Sequence, residues 1–193
     1  EVEIAPQIRS LGRQRGLVDA LENKAQLRID YDTESTRTAA QAFDARAGNC
    51  LSLVVMTAAF AKELGLTVRY QSAYLEETVS RSGNLVLRSG HVNVTLGRRF
   101  ADPRLQDREP MTVDFLPPEE LRSLRTREID EDTVVAMYLN NRAVEALVAD
   151  RIDDAYAWAR ESVRQDPRFL GGLNTLGVAY LRSQGLDVGW VDS

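Results

Sequence analysis

One apolar stretch places the only cysteine of the chain at the start of a long helix. It runs from Arg46 to Leu66 and reads RAGNCLSLVVMTAAFAKELGL. Asn49 is a favourable N-cap residue and Gly65 a common helix terminator, so the pattern predicts a helix from about Cys50 to Leu64. Nearly all of its side chains are apolar, which predicts burial. The rest of the chain has to build its core around such a helix.

The thiol of Cys50 is expected in the first turn of that helix. There the unpaired N–H groups and the positive end of the helix macrodipole favour a thiolate over a thiol. A single cysteine in 193 residues excludes an internal disulfide and a thiolate-rich zinc site. Three roles stay open for it: a buried inert thiol, a reactive thiol, or a thiol that pairs with another chain.

Composition excludes several classes of function. The net charge of −5 argues against a nucleic-acid partner, and no segment approaches the length of a membrane span. The single histidine and the lack of a phosphate-binding glycine-rich loop lead us to expect no metal and no cofactor. The chain begins at Glu1, which fits a processed export product or an excised piece of a longer chain. The compartment therefore stays open between exported, cell-envelope and cytoplasmic.

Helical patterns precede the apolar helix and strand patterns follow it. One helix is predicted over Ile8 to Leu27 with an interruption at Gly16. A second is predicted over Thr33 to Phe43, capped by Ser35 or Thr36, with Ala39, Ala40 and Phe43 as its buried face. The predicted strands are Thr67 to Tyr74, Asn84 to Leu87 after a turn at Ser82-Gly83, His91 to Leu96, and Met111 to Phe115 as its antiparallel partner. This order predicts an α+β fold.

Beyond about Thr133 the helical period returns and the sequence repeats. Leu139 and Ala143 recur 34 residues later as Leu173 and Gly177. Helices are predicted near Val134 to Ala149, Asp153 to Gln165 and Phe169 to Ser183. With small residues at Ala155 and Ala159 and a proline at Pro167, the segment resembles an incomplete tetratricopeptide repeat. A plain three-helix appendage is the alternative.

The last of these helices has no partner helix after it in the sequence. A repeat unit buries its apolar face by stacking on a neighbour, so Leu173, Leu176 and Tyr180 are expected to pack on the preceding helices. The opposite side would stay open to a further repeat, a protein partner or a second copy of the chain. The C-terminal helices are therefore a candidate surface for a protein partner.

Three residues could together carry nucleophilic catalysis. Cys50 at a helix start, His91 at a strand start and an aspartate beyond it occur in the order that papain-like enzymes use. Two aspartates compete for the third place. Asp114 is preferred because a carboxylate in an apolar strand needs a reason to be there. Asp102, in the sequence FADPR, is the alternative.

The stretch around Cys50, followed by SGHVNV and TVDF, resembles the transglutaminase-like superfamily from roughly Tyr31 to Pro117. The resemblance implies that Cys50 is the nucleophile, that His91 is the general base and acid, and that Asp114 orients the imidazole. It also implies that the backbone N–H of Cys50 is part of an oxyanion hole. The chain departs from the family where Val92 and Asn93 replace a frequent aromatic residue after the histidine.

These patterns predict two domains and one chemistry. Residues 1–127 would form a papain-like, transglutaminase-like domain, and residues 128–193 a tetratricopeptide-like helical region. The predicted activity is hydrolysis or acyl transfer at an amide or peptide-like bond, with a protein or peptide as substrate. The alternative is a non-catalytic module that uses its cleft and its C-terminal helices to bind another protein.

Overall fold

The computed structural model of the chain divides into two compact units. Unit 1 comprises Glu1–Gln71 and Val92–Ser123, and unit 2 comprises Ser72–His91 and Leu124–Ser193. The structure describes residues 5–22, 29–32, 35–74, 79–82, 85–88, 90–98, 110–115, 125–186 and 190–192. The predicted domain boundary between residues 127 and 128 stays a prediction.

Helices and strands alternate along the described parts of the chain. The seven described helices are α1 (Ala5–Leu11), α2 (Arg13–Glu22), α3 (Ala39–Ala45), α4 (Cys50–Glu63), α5 (Glu131–Val148), α6 (Ile152–Gln165) and α7 (Leu170–Ser183). The described strands are β1 (Asp30–Tyr31), β2 (Ala47–Gly48), β3 (Leu66–Tyr74), β4 (Val79–Ser82), β5 (Leu85–Arg88), β6 (His91–Arg98), β7 (Met111–Val113), β8 (Arg125–Ile129) and β9 (Trp190–Asp192). This mixture of helices with an antiparallel sheet confirms the predicted fold class at that level.

The predicted central helix is α4, and it begins at Cys50 as expected. Asn49 is its N-cap residue, and Gly65 follows its end with a φ of 71°, in the left-handed region that glycine tolerates. The helix buries one continuous set of side chains, namely Leu51, Ser52, Leu53, Val54, Met56, Thr57, Ala58 and Ala61. Unit 1 is therefore built around the helix that the sequence singled out.

The break in the first predicted helix is at Gly12 rather than Gly16. Gly12 has a φ of 83° and separates α1 from α2, whereas Gly16 lies inside α2. A Cβ atom at Gly16 would come within 2.7 Å of backbone atoms of Gln7 and Ile8. The prediction was wrong because Gly16 permits α1 and α2 to approach each other closely and does not bend the chain.

The helix before Cys50 starts later than predicted. Thr38, and neither Ser35 nor Thr36, is the N-cap residue of α3, and it forms a capping box with Gln41. The buried residue of α3 is Ala42. The buried face predicted from Ala39, Ala40 and Phe43 is therefore wrong. Ala40 is exposed, and Ala39 and Phe43 are half-buried. The short helix α3 turns the side that carries Ala42, rather than the side that carries Ala40, toward the core.

In unit 1 the strands β7, β6 and β3 lie in that hydrogen-bonded order. The predicted antiparallel pairing of β6 and β7 is confirmed, with Val94 opposite Val113 and Leu96 opposite Met111. Val92, Val94 and Leu96 are buried, but the polar residues that alternate with them are buried too. One of the groups that cover this strand is Gln14 of α2, whose Nε2 donates to the carbonyl of Leu96 at 3.0 Å.

A second sheet lies in unit 2 and has the order β4-β5-β9. β4 and β5 are antiparallel, and β9 runs parallel to β5. The strand predicted at Asn84 to Leu87 is present as β5, but its antiparallel partner is β4, which the sequence reading did not predict. The predicted turn at Ser82-Gly83 falls between these two strands in sequence, but Gly83 lies outside the described residues and the turn stays a prediction.

The three C-terminal helices of unit 2 match their predicted bounds within a few residues. Ser162 of α6 is fully buried and donates a hydrogen bond to the carbonyl of Ala136 in α5 at 2.7 Å. The core between these helices consists of Val144, Ala146, Leu147, Ala155, Val178 and Ala179. Small residues at the crossings permit this close packing.

The packing face predicted for α7 is wrong for two of its three residues. Leu173 is 44% exposed and Tyr180 is 54% exposed, while Leu176 is half-buried. The buried residues of α7 are Gly171, Gly172, Thr175, Val178 and Ala179. Small residues rather than the large apolar ones therefore face the preceding helices. The tetratricopeptide-like assignment itself stays a prediction.

Candidate active site around Cys50

The thiol of Cys50 lies on the first residue of α4 and is half-buried. Asn49 has extended backbone angles, and its Oδ1 accepts hydrogen bonds from the N–H of Ser52 at 2.9 Å and from the hydroxyl of Ser52 at 2.7 Å. The first turn of α4 carries no acidic side chain. The N-terminal dipole of the helix is therefore unopposed by acidic side chains of its own first turn.

A loop that precedes α3 is fastened to the same turn. The backbone N–H of Arg37 donates to the buried hydroxyl of Ser52 at 2.8 Å. The Nδ2 of Asn49 donates to Oγ1 of Thr36 at 2.8 Å, and Thr36 is itself buried. These bonds join residues 36 and 37 to the start of α4. The position of Cys50 is thus fixed by hydrogen bonds from a distant part of the sequence as well as by its own helix.

The backbone just before Cys50 is held by a short parallel pairing. β1 and β2 bring Tyr31 opposite Gly48, and the N–H of Asp32 donates to the carbonyl of Gly48 at 3.0 Å. Arg37 forms an ion pair with Asp32, with 2.6 Å between Nη1 and Oδ2. A Cβ atom at Gly48 would lie 2.8 Å from Cβ of Ser52, so this residue has to be small.

His91 is the first residue of β6 and is 2% exposed. Side chains alternate along a strand, so Asn93 and Thr95 lie on the same face as the imidazole. Across the strand pair the hydroxyls of Thr95 and Thr112 are 2.9 Å apart. The next pair on that face is Asn93 and Asp114, with 3.0 Å between Nδ2 and Oδ2. The polar face predicted for β6 exists, and it is buried.

The structure gives each predicted residue a place. Cys50 and Asp114 belong to unit 1, and His91 is the last residue of the unit 2 segment Ser72–His91. Asp114 follows the end of β7, and its contact with Asn93 was not predicted. Asp102 lies outside the described residues. The assignment of Cys50, His91 and Asp114 to a triad stays a prediction.

Two residues near the candidate site, Ser52 and Asn93, were not predicted from the sequence. Ser52 looks like an ordinary residue of an apolar helix, and only the fold shows that it accepts a bond from Arg37. Asn93 had a usable signal, because an amide that alternates with valines in a buried strand needs a hydrogen-bond partner.

Within the described ranges no cluster of three or more His, Cys, Asp and Glu side chains could hold a metal ion. No helix among the described ones is both long and apolar enough to cross a membrane.

Comparison with known families agrees with the resemblance at the level of the superfamily. Residues 3–96 match the transglutaminase-like superfamily, so this segment is a transglutaminase-like domain. The matched segment contains Cys50 and His91 and ends before Asp102 and Asp114. Comparison with curated proteins gives no match, and comparison with solved structures gives none either.

Proposed function

We propose that the chain is a thiol-dependent enzyme that hydrolyses an amide or peptide-like bond or transfers its acyl group. Cys50 is the nucleophile, His91 the general base and acid, and Asp114 the carboxylate that orients the imidazole. The placement of Cys50 is the observation that carries the proposal. A half-buried thiol on the first residue of a capped helix, inside a segment that matches the transglutaminase-like superfamily, has the exposure and the local field that a nucleophile needs.

The reaction divides into two half-reactions. His91 accepts the proton of the thiol, and Sγ attacks the carbonyl carbon of the amide to give a tetrahedral oxyanion. The backbone N–H of Cys50 is one donor to that oxyanion. When the C–N bond breaks, the imidazolium returns the proton to the leaving amine, and a thioester remains on Cys50. Water or a second amine then attacks the thioester, His91 takes its proton, and the thiol is restored. Water is the default acceptor because it needs no second binding site.

Trapping of the acyl intermediate tests this function directly. The full chain is incubated with p-nitrophenyl acetate, and the acetylated residue is located by mass spectrometry. The wild type should carry the acetyl group on Cys50, while Cys50→Ser should fold normally and carry none at residue 50. Labelling at lysines with an unmodified Cys50 would overturn the proposal. Addition of an amine such as glycine ethyl ester then separates transfer from hydrolysis by the product formed.

The two aspartates can be ranked by substitution. Asp114→Asn should lower the acylation rate by about a hundredfold or more, because the imidazole loses the carboxylate that sets its tautomer. Asp102→Asn is the matched control and should leave the rate within about twofold of the wild type. Circular dichroism verifies that both variants are folded. The reverse order of the two variants would assign Asp102 as the third member.

The exposed side of α7 favours a second candidate function, that of a protein-binding module. Leu170, Leu173 and Tyr180 are 74%, 44% and 54% exposed, and apart from the backbone of α7 itself no atom of the described residues lies within 4 Å of a Cβ built at Gly177. The residue equivalent to Gly177 in the first copy of the repeat is Ala143, which is fully buried. Exposed apolar side chains of this size on one helix face mark interaction sites.

The internal repeat indicates what such a face would bind. In the first copy, α6 packs on α5 through the small residues Ala155, Ala159 and Ser162, all fully buried. We therefore expect α7 to accept an amphipathic helix with small residues at the same spacing. A labelled peptide with the sequence of α6 is the probe, and NMR shifts detect weak binding. Tyr180→Glu should abolish the shifts around Gly177, whereas Tyr156→Glu, at an exposed position of α6, should not. Absence of shifts in the wild type would contradict this role.

A further inference from the structure

The side chain of Asn93 is only half satisfied, although it is buried. Asn93 is 4% exposed, and its Nδ2 donates to Oδ2 of Asp114 at 3.0 Å. Among the described residues, no group donates a hydrogen bond to its Oδ1. A buried carbonyl oxygen without a donor destabilises the fold. Packing alone would therefore favour an apolar or β-branched residue at this position of the strand.

Strand register explains why Asn93 and Asp114 meet. Val94 lies opposite Val113, and one step further along the antiparallel pair places residue 93 opposite residue 114. The preceding pair on the same face, Thr95 and Thr112, is also joined by its side chains. The contact is thus fixed by the backbone of two paired strands. A carboxylate that lies beyond the end of β7 gains a rigid partner from the middle of the sheet.

We propose that Asn93 is a positioning residue that holds the carboxylate of Asp114 in the orientation in which it accepts a hydrogen bond from the ring of His91. This inference rests on the proposed function. Nδ2 of Asn93 engages Oδ2, and Oδ1 of Asp114 is assigned to the ring N–H. His91 and Asn93 are two residues apart on β6, so their side chains leave the strand on the same face.

The chemistry of a carboxamide suits this task. An amide N–H donates to the carboxylate without adding a positive charge, so the full negative charge stays available to stabilise an imidazolium. An arginine or lysine at residue 93 would hold Asp114 equally well and would cancel that charge. A threonine or valine would fill the strand position but would leave the carboxylate without this donor. Asparagine is thus the neutral donor that fits the polar ladder of β6 and β7.

The chain offers two specific probes for a test, because it has one histidine and one cysteine. The Hε1 resonance of His91 reports the imidazole titration without assignment problems. The rate of carboxymethylation as a function of pH reports the ionisation of Cys50. Both readouts report ionisation at the site rather than the stability of the fold, so a control variant that changes packing on the same strand face can separate positioning from structure.

The test variant is Asn93→Leu, which keeps the approximate shape and removes the carboxamide. We expect the His91 titration to move down and the Cys50 profile to move up by about one pH unit, roughly a tenfold loss of thiolate below its midpoint. Thr95→Val is the matched control: it breaks the neighbouring hydroxyl contact on the same strand face, and both titrations should stay in place. Asn93→Ser serves in the same way if the leucine variant does not fold.

A double-substitution cycle shows whether Asn93 acts through Asp114. In an Asp114→Asn background, Asn93→Leu should produce no further change in either titration. If Asn93→Leu leaves both titrations at their wild-type positions while His91→Ala moves the Cys50 profile, the inference is wrong and the proposed function stands. If His91→Ala does not move the Cys50 profile either, the proposed function is wrong, and the inference that rests on it is wrong as well.

Discussion

Asn49 accepts two hydrogen bonds from Ser52 across the first turn of α4, one from its backbone N–H and one from its hydroxyl. Cys50 lies between these two residues in the chain, so the thiol-bearing residue is part of the turn that these bonds hold. Because Ser52 also accepts from the N–H of Arg37, the same bonds fasten a distant loop to the thiol-bearing turn. Loss of this cap should therefore affect both the fold and the chemistry of Cys50.

The cap gives the first prediction. Asn49→Ala should lower the free energy of unfolding by about 1–2 kcal/mol, because the helix start loses its acceptor and Thr36 loses its donor. Thr38→Ala, which removes the exposed cap of α3, is the matched control and should cost about 1 kcal/mol or less. Urea titrations measure both. Only Asn49→Ala should also change the alkylation rate of Cys50, and equal rates for the two variants would show that the cap does not position the thiol.

A pair of glycines gives the second prediction. Gly16→Ala should destabilise the chain by roughly 1–3 kcal/mol, because the new methyl group would meet backbone atoms of α1 that cannot move aside. Gly177→Ala places the same methyl group on a side of α7 where the described part of the chain has no other atom within 4 Å, and it should stabilise the chain by up to about 1 kcal/mol. Thermal unfolding compares the two. A loss of stability in both variants would contradict the open face of α7.

Asp166 gives a prediction for the dependence of stability on pH. The hydrogen bond from the hydroxyl of Thr133, followed by the bond from the N–H of Arg168, lowers the pKa of Asp166 below its ordinary value of 3.8. A carboxyl whose folded pKa is lowered stabilises the fold above its unfolded pKa, and this contribution disappears as the pH falls through the folded value.

The matching variant is Asp166→Asn. It should be less stable than the wild type at pH 7, and the difference should shrink only as the pH falls below 3.8 and then through the lower pKa of the folded carboxyl. Urea unfolding at a series of pH values measures the difference. Asp153→Asn, at an exposed position in the first turn of α6, is the control and should show no such convergence. If the free energies of unfolding of wild type and Asp166→Asn differ by the same amount at every pH, the ionisation of Asp166 does not contribute to the pH dependence of stability.

Local signals made the main helices and strands predictable. Asn49 and Gly65 mark the ends of α4 through their own backbone preferences, and the alternation of His91 to Leu96 identifies a strand without knowledge of its neighbours. The pairing of β6 with β7 followed from proximity in sequence. These features need no tertiary information.

The errors arose where a residue type serves two purposes. Gly12 and Gly16 look equivalent in sequence, and only the contact of α1 with α2 shows which one bends the chain and which one permits close packing. Likewise, the large apolar side chains of Leu173 and Tyr180 suggest a packing face. The small residues of α7 face the preceding helices instead. The partner of Asp114 could not be predicted either, because the register that brings Asn93 to it is a property of the strand pair.

We propose that Cys50 and His91 work as a nucleophile and its base. With one cysteine and one histidine in the chain, the pH dependence of alkylation by iodoacetamide in wild type and His91→Ala tests it without ambiguity. We predict a wild-type midpoint well below the free-thiol value of about 8.5, and a midpoint in His91→Ala that moves toward that value. Identical curves in the two proteins, both with the midpoint of a free thiol, would contradict the account.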